Sequence, residues 1–429
     1  MQSDIIKEQW TPQQKMLFRF FTSYFLISLL PFPIGYIPFT DTLKHWYQRL
    51  FDTFISKTGK YIFHIPFPLV SSNNGSGDTS YNYVQLFLFI VLALITTIIW
   101  SAADKKRRNY NAVWYFLMIY VRYRFAFSMM KYGFEKIIKV QFPFPYYSLD
   151  QTYGESSPMR LMWNFMGYST GYNVFTGLLE VATGCMVLFR KTTMLGALLG
   201  VTILTNVVAL NFCFDVPVKL HAINLLLIAL FILLPDAKRL FLFFIRNKAV
   251  SAVNVGYVPF TNSRIRFFVS AAKFAFILYI GYINVAHSWT RYLISGDGAF
   301  KKTPLFGVYE VKKFIKNNDT LLPLLTDTFQ WKTLNIYLPK EASIKMMNDE
   351  RKNFYFLTDT ANKRIQLYSK SDSLHKMFFS YFTSDSAHLS LGGKWRGDSV
   401  IILLQKKEGK QFELLNRGFH WINELPYKK

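Results

Sequence analysis

Long apolar runs separated by short charged turns fill the first two thirds of the chain, and short alternating segments fill the last third. The runs Leu17 to Phe39, Tyr83 to Ser101, Trp114 to Val140, Tyr172 to Phe189, Thr192 to Cys213, Val218 to Leu234 and Phe267 to His287 are long enough for helices that cross a bilayer. The first carries Pro31 and Pro33, which predict a kink, and no small-residue cleavage site follows it, so a retained helix is expected. Thr40 to Asn82 reads as a polar and aromatic connection with a Gly/Ser/Asn loop at Ser71 to Ser80. In the connection from Gln141 to Gly171, the opening QFPFP cannot continue a helix, and Ser157 to Met166 predicts a short interfacial helix anchored by Trp163.

From Ser295 onward the period changes. Gly307 to Phe314, Asn353 to Leu357, Arg364 to Tyr368, Met377 to Phe382 and Val400 to Leu404 alternate between turn residues, the pattern of an antiparallel sheet or small barrel. The expected fold is therefore a membrane all-α bundle of about seven spans followed by a mostly-β domain. It divides into a first pair of spans with an outer loop (1–112), a core with the seventh span (113–294) and the β-domain (295–429). In the last segment, from Asn416, Phe419 and Trp421 are expected in closing contacts, with Arg417 paired to Glu424 or a carbonyl.

Composition sharpens this picture. The chain is 51% hydrophobic and 18% aromatic with a formal charge of +24. A charge of that size raises nucleic acid as a partner, but the basic residues cluster beside apolar runs, as in Asp104 to Arg108, and no nucleic-acid motif is present. The charge reads as orientation, with the N-terminus cytoplasmic and the β-domain outside. Cys185 and Cys213 lie in spans and form no C-x-x-C, so neither a disulfide framework nor a thiol relay is expected.

The third run is the one whose charges demand explanation. On a helical projection Arg124, Ser128, Lys131 and Glu135 share a stripe roughly 60° wide, and charges within a span face protein or water. Counted from the outer helix ends, Lys131, Glu180 and Asn206 lie at depths of about 13, 12 and 10 Å. An ion pair between Lys131 and Glu180 is expected, with Gly177 and Gly184 placing the glutamate on a closely packed face. Glu135, Asn211, Asp215 and His221, with Lys219, Asn284 and His287, would line the mouth of a pocket above that pair. The competing reading is that these groups only hold helices together. Arg122 projects away from the stripe and is expected to snorkel toward the cytoplasm. His221 and His287 lie at helix ends and are not read as haem ligands, and His375, His388 and His420 lack metal-ligand spacing.

These residues also support a family resemblance. The run RFAFSMMKYGFEK from Arg124, followed by GLLEVATGCMVLFRKTTMLGALLG from Gly177, resembles the membrane core of the DoxX family, with Arg124, Gly133, Lys136, Gly177, Glu180 and Gly184 at the family's positions. The resemblance covers about Val113 to Leu240. It implies a protein of the bacterial inner membrane and a quinone-binding subunit of a redox system, in which Lys131 and Glu180 would hydrogen-bond a quinone carbonyl and manage a proton. No cofactor motif is evident, so electrons would come from a partner protein. The first pair of spans, the seventh span and the β-domain depart from the family's compact form. The alternative is a non-enzymatic membrane scaffold, or a carrier of lipid or another small molecule.

Overall fold

The computed structural model describes residues 9–71, 75–251, 262–300, 303–369, 372 and 374–426. The centre of the predicted Ser71 to Ser80 loop, 72–74, lies outside the described residues. The chain forms two compact units, Met1–Phe134 with Gly177–Val285, and Glu135–Thr176 with Ala286–Lys429.

The first unit is helical. Helix α1 (Pro12–Leu29) opens with a capping box between Thr11 and Gln14. It ends at Leu29 and does not continue through a kink, because Pro31 and Pro33 supply no donors for another turn. Helix α2 (Asp41–Tyr61) occupies what the sequence suggested was a connection. It is followed by α3 (Ser80–Ala103), α4 (Asn111–Ile137), α5 (Pro158–Tyr168), which belongs to the second unit, α6 (Thr170–Leu188), α7 (Thr193–Cys213), α8 (Lys219–Leu233), the short α9 (Ala237–Leu240) and α10 (Ser263–Ser295). Among the described residues six helical segments are long and apolar enough to cross a membrane: Pro12–Tyr36, Ser80–Ala103, Thr170–Leu188, Thr193–Cys213, Lys219–Ile245 and Ser263–Phe300. The remaining expected span, the third run, is α4, whose 27 residues suffice in length but are not apolar enough by the same measure.

Helix α4 is the centre of this unit. Val121, Phe125 and Met129 are fully enclosed with Phe18, Phe25, Val187, Leu204, Ile228 and Ile232. It meets α6 backbone to backbone: a Cβ on Gly133 would come within 2.7 Å of the Gly177 carbonyl oxygen, and one on Gly184 within 3.0 Å of the Ala126 carbonyl oxygen. Small residues let helices approach this closely in lipid.

The second unit is built on a β-meander. Its strands are β1 (Gly307–Lys316), β2 (Asp319–Leu321), β3 (Trp331–Leu338), β4 (Glu341–Met346), β5 (Arg351–Asp359), β6 (Arg364–Ser369), β7 (Met377–Thr383), β8 (His388–Trp395) and β9 (Asp398–Lys406). All neighbours are antiparallel, and β1 pairs with β9 as well as β3, so β1 and β3 to β9 close an eight-stranded barrel, with β2 a short addition to β1. Val400, Ile402 and Leu404 point inward while Ile401 and Leu403 point out, the two-residue period of a strand with one face in the core. Trp331 and Trp395 meet edge to face at the centre, ring centroids 5.0 Å apart.

On β3 and β4 the outward residues are buried too: Thr333, Asn335, Ser343 and Lys345. The cover is the 141–157 segment, which the sequence grouped with the helical core. Asp150 accepts hydrogen bonds from Thr333 Oγ1 (2.9 Å), Asn335 Nδ2 (3.1 Å) and Arg351 Nη1 (3.0 Å), and Glu155 accepts from Lys345 Nζ (3.0 Å). Polar strand residues that would face water thus find polar partners. Helix α5 follows, capped by Ser157, and Trp163 packs against Phe142 at 5.1 Å, so it is not a free anchor. At the other end of this unit the closing contacts expected for the last segment are not made. Phe419 is 78% and Trp421 91% exposed, and the Arg417 guanidinium donates to Asn423 Oδ1.

Candidate functional site

Within the first unit a cavity of about 460 Å³ opens between α1, α3, α4 and α8. Its polar lining consists of Tyr24 and Ser28 from α1, Asn82 and Gln85 from α3, Arg124 and Tyr132 from α4, and His221 and Asn224 from α8, together with the 75–77 turn. Leu29, Leu86, Phe89, Leu225 and Ile228 supply an apolar remainder. Among the described residues no aspartate or glutamate lines it.

Local structure explains how the polar groups converge. Arg124 and Tyr132 are eight residues apart on α4, just over two turns, so they share a face. The Arg124 guanidinium donates to Ser128 Oγ one turn on and stacks over Phe32 at 5.7 Å. Among the described residues it has no carboxylate partner. His221 is held by the start of α8, where Val218 provides no side-chain cap. Asp78, from the loop before α3, caps the helix instead, accepting from Lys219 N at 2.8 Å and Leu220 N at 3.0 Å. The imidazole lies 5.6 Å from the Tyr132 ring, and its buried Nε2 has no hydrogen-bond partner among the described residues. A carboxylate-free wall carrying a guanidinium, an imidazole, two phenols and three amides therefore surrounds a partly apolar space. That chemistry suits a molecule with an acceptor-rich head and an apolar body.

The sequence-derived candidates are divided by the structure. Arg124 and His221 line the cavity. Lys131 has its ammonium over the Tyr132 ring at 5.9 Å, and among the described residues it makes no ion pair with Glu180. Glu180 is buried on the tightly packed face of α6 but is not part of the cavity wall. Asn206 is exposed on the outer face of α7, so depth alone misplaced it, because equal depth does not imply equal azimuth. Asn211 is buried and donates to the Val218 carbonyl at 3.4 Å, stapling the turn between α7 and α8. Asp215 is exposed and pairs with Lys219 at 2.8 Å. Glu135 belongs to the second unit, where it pairs with Arg291 at 2.9 Å. Asn284 bonds back to the Ile280 carbonyl within α10.

Arg122 does not snorkel. Its guanidinium donates to the carbonyl oxygens of Val187 (2.9 and 2.8 Å) and Leu188 (3.1 Å) at the end of α6. The polar helix residues Tyr24, Ser28, Asn82, Gln85, Tyr132 and Asn224 of the lining escaped the sequence reading. The available signal was an isolated amide in an apolar run, at Gln85 and Asn224.

Fold and site together define a multi-pass helical membrane protein that carries an antiparallel β-barrel. No protein-family model matches the chain, and no solved structure matches it. Over 114 residues, 27% of this chain and 73% of the relative, it is 30% identical to "Uncharacterized protein YwoB" of Bacillus subtilis (strain 168), and by that coverage it belongs to the same family.

Proposed function

We propose that this protein binds an amphipathic small molecule head-first in the α1, α3, α4, α8 cavity, and that the head group is a hydrogen-bond acceptor. The observation that carries the reading is the presence in one cavity of Arg124, which has no carboxylate partner, and the unpartnered Nε2 of His221, with no acid in the wall, all among the described residues. A quinone is the ligand class that the DoxX resemblance implies, and its carbonyl oxygens would accept from Arg124 and His221. The basic residues beside the apolar runs support a bacterial inner-membrane setting with the N-terminus cytoplasmic and the barrel outside. A redox role would require an electron-donating partner. The carrier reading draws support from the lining itself, which among the described residues holds neither a thiol nor a carboxylate.

The test is mass spectrometry of small molecules retained by the protein after gentle purification from its own membrane. Retention by wild type and by Glu180→Gln, with loss in Arg124→Gln and His221→Ala, supports the cavity. Equal retention by all four excludes it.

A further inference from the structure

Helix α2 divides its side chains into two incompatible faces. One is fixed to the rest of the first unit: Ile55 is fully buried with Leu69, Tyr81 and Val84, and Phe51 meets Phe89 at 5.2 Å. Tyr81 Oη donates to Asp52, and Tyr47 Oη donates to the Ile27 carbonyl at 2.8 Å. The other face carries Leu43, Trp46, Leu50, Phe54 and Tyr61, each at least 40% exposed. At 100° per residue these five fall within an arc of roughly 80°, centred on the side of the helix away from Ile55 and Asp52. The stripe cannot turn inward, because the opposite contacts hold the helix in place.

We infer that this stripe is seated on the lipid bilayer, at an anionic headgroup layer. Two observations select lipid as the occupant. The helix is the connection between two segments that are themselves apolar enough to cross a membrane, Pro12–Tyr36 and Ser80–Ala103, so its ends are tethered to the bilayer. Its exposed charge is also one-sided. Lys44, Arg49, Lys57 and Lys60 are all exposed, while Asp52 is occupied by Tyr81, leaving Asp41 as the exposed acid of the helix. Arg49 and Lys60 border the stripe and Lys57 interrupts it, which is where long basic side chains reach phosphates while their stems cover apolar surface. Trp46 and Tyr61 suit the same depth, with an apolar ring body and a polar edge.

The test uses the full chain with Cys185→Ser and Cys213→Ser, carrying a single nitroxide at position 46, 50 or 54, or at 45 or 48 as controls, in nanodiscs of phosphatidylcholine with or without phosphatidylglycerol. Oxygen and a water-soluble nickel complex are compared as relaxing agents. The expected result is an oxygen-to-nickel accessibility ratio several-fold higher at 46, 50 and 54 than at 45 and 48. Phosphatidylglycerol should raise it further, and Arg49→Gln/Lys57→Gln/Lys60→Gln should abolish that increment. Equal ratios on both faces would overturn the seating on lipid, as would dipolar coupling between labels at 46 on two copies, which would make a second copy the occupant. A ratio indifferent to phosphatidylglycerol would overturn the anionic preference.

Discussion

Arg122 of α4 and Val187 of α6 are joined by two hydrogen bonds, from Nε at 2.9 Å and Nη2 at 2.8 Å to one carbonyl oxygen, with Leu188 accepting a third at 3.1 Å. The last carbonyls of a helix have no partners within it, and in an apolar environment water does not serve them. A charged donor from the neighbouring helix completes α6. Arg122→Leu should lower stability by about 1–3 kcal/mol, and Arg122→Lys should recover only part of that, since an ammonium cannot reproduce the fork. Thermal unfolding in detergent followed by circular dichroism reads both, and a melting temperature unchanged in Arg122→Leu would contradict the capping role.

Asp78 should matter to the cavity without lining it. Removing its carboxylate leaves two amides of α8 uncapped, which costs about 0.5–2 kcal/mol. Asp78→Ala should therefore reduce retention of the cavity's ligand through a loosened His221, and Asp78→Asn should restore most of it. Equal losses in both variants would point to a role for the charge alone.

Asp150 is 3% exposed and accepts from Thr333, Asn335 and Arg351. Asp150→Ala leaves the Arg351 charge without that acceptor, and breaking a buried pair of this kind typically costs about 3–5 kcal/mol. Hydrogen exchange should show residues 146–155 losing protection while the inward strands keep theirs. Retained protection across 146–155 would show that the segment is held by other contacts.

The Glu155 and Lys345 contact sets a pH window. The hydrogen bond from Lys345 holds the Glu155 carboxyl below its ordinary value of 4.5. Burial opposes the Lys345 charge, but the hydrogen bonds to Glu155 and Asp349 outweigh it and raise the ammonium above 10.5. Glu155, with a depressed value, contributes stability above its unfolded value that is lost as pH falls through the folded one; Lys345, with a raised value, contributes below its unfolded value and loses it as pH rises through the folded one. The difference in melting temperature between wild type and Glu155→Gln should be steady between about pH 5 and pH 10 and close toward both extremes. A difference independent of pH would remove the ion pair as its cause.

The sequence made some of this legible, and the reasons for the rest are physical. The five strand segments read from alternation all fall within strands of the barrel, because Val400, Ile402 and Leu404 alternate cleanly with outward neighbours. Strands β3 and β4 went unread although Thr333-Leu334-Asn335-Ile336 and Ala342-Ser343-Ile344-Lys345-Met346 do alternate; what the sequence does not carry is that their polar face is covered by 141–157. Helix α2 went unread because its apolar positions fall on two faces, Leu43, Trp46, Leu50 and Phe54 on one and Phe51 and Ile55 on the other, among charged residues that read as a polar connection. Arg124 and His221 could be found as polar residues in apolar runs. Asn206 was misplaced because depth in a membrane can be counted along the chain, whereas the direction a side chain faces depends on which neighbour the helix packs against. The partners of Arg122 are backbone carbonyls, which leave no trace in a sequence.

The pairing of β1 with β9 means that the barrel's seam joins strands separated by about 90 residues of chain. Every other seam is local and can form as its hairpin leaves the ribosome, but this one waits for Asp398–Lys406 to be synthesised. Until then Phe314 on β1 and the inward face of β8 lack their last neighbours. Folding of this domain is thus timed by its final strand, and a pause in translation just before residue 398 would prolong the life of an open sheet with two unpaired edges.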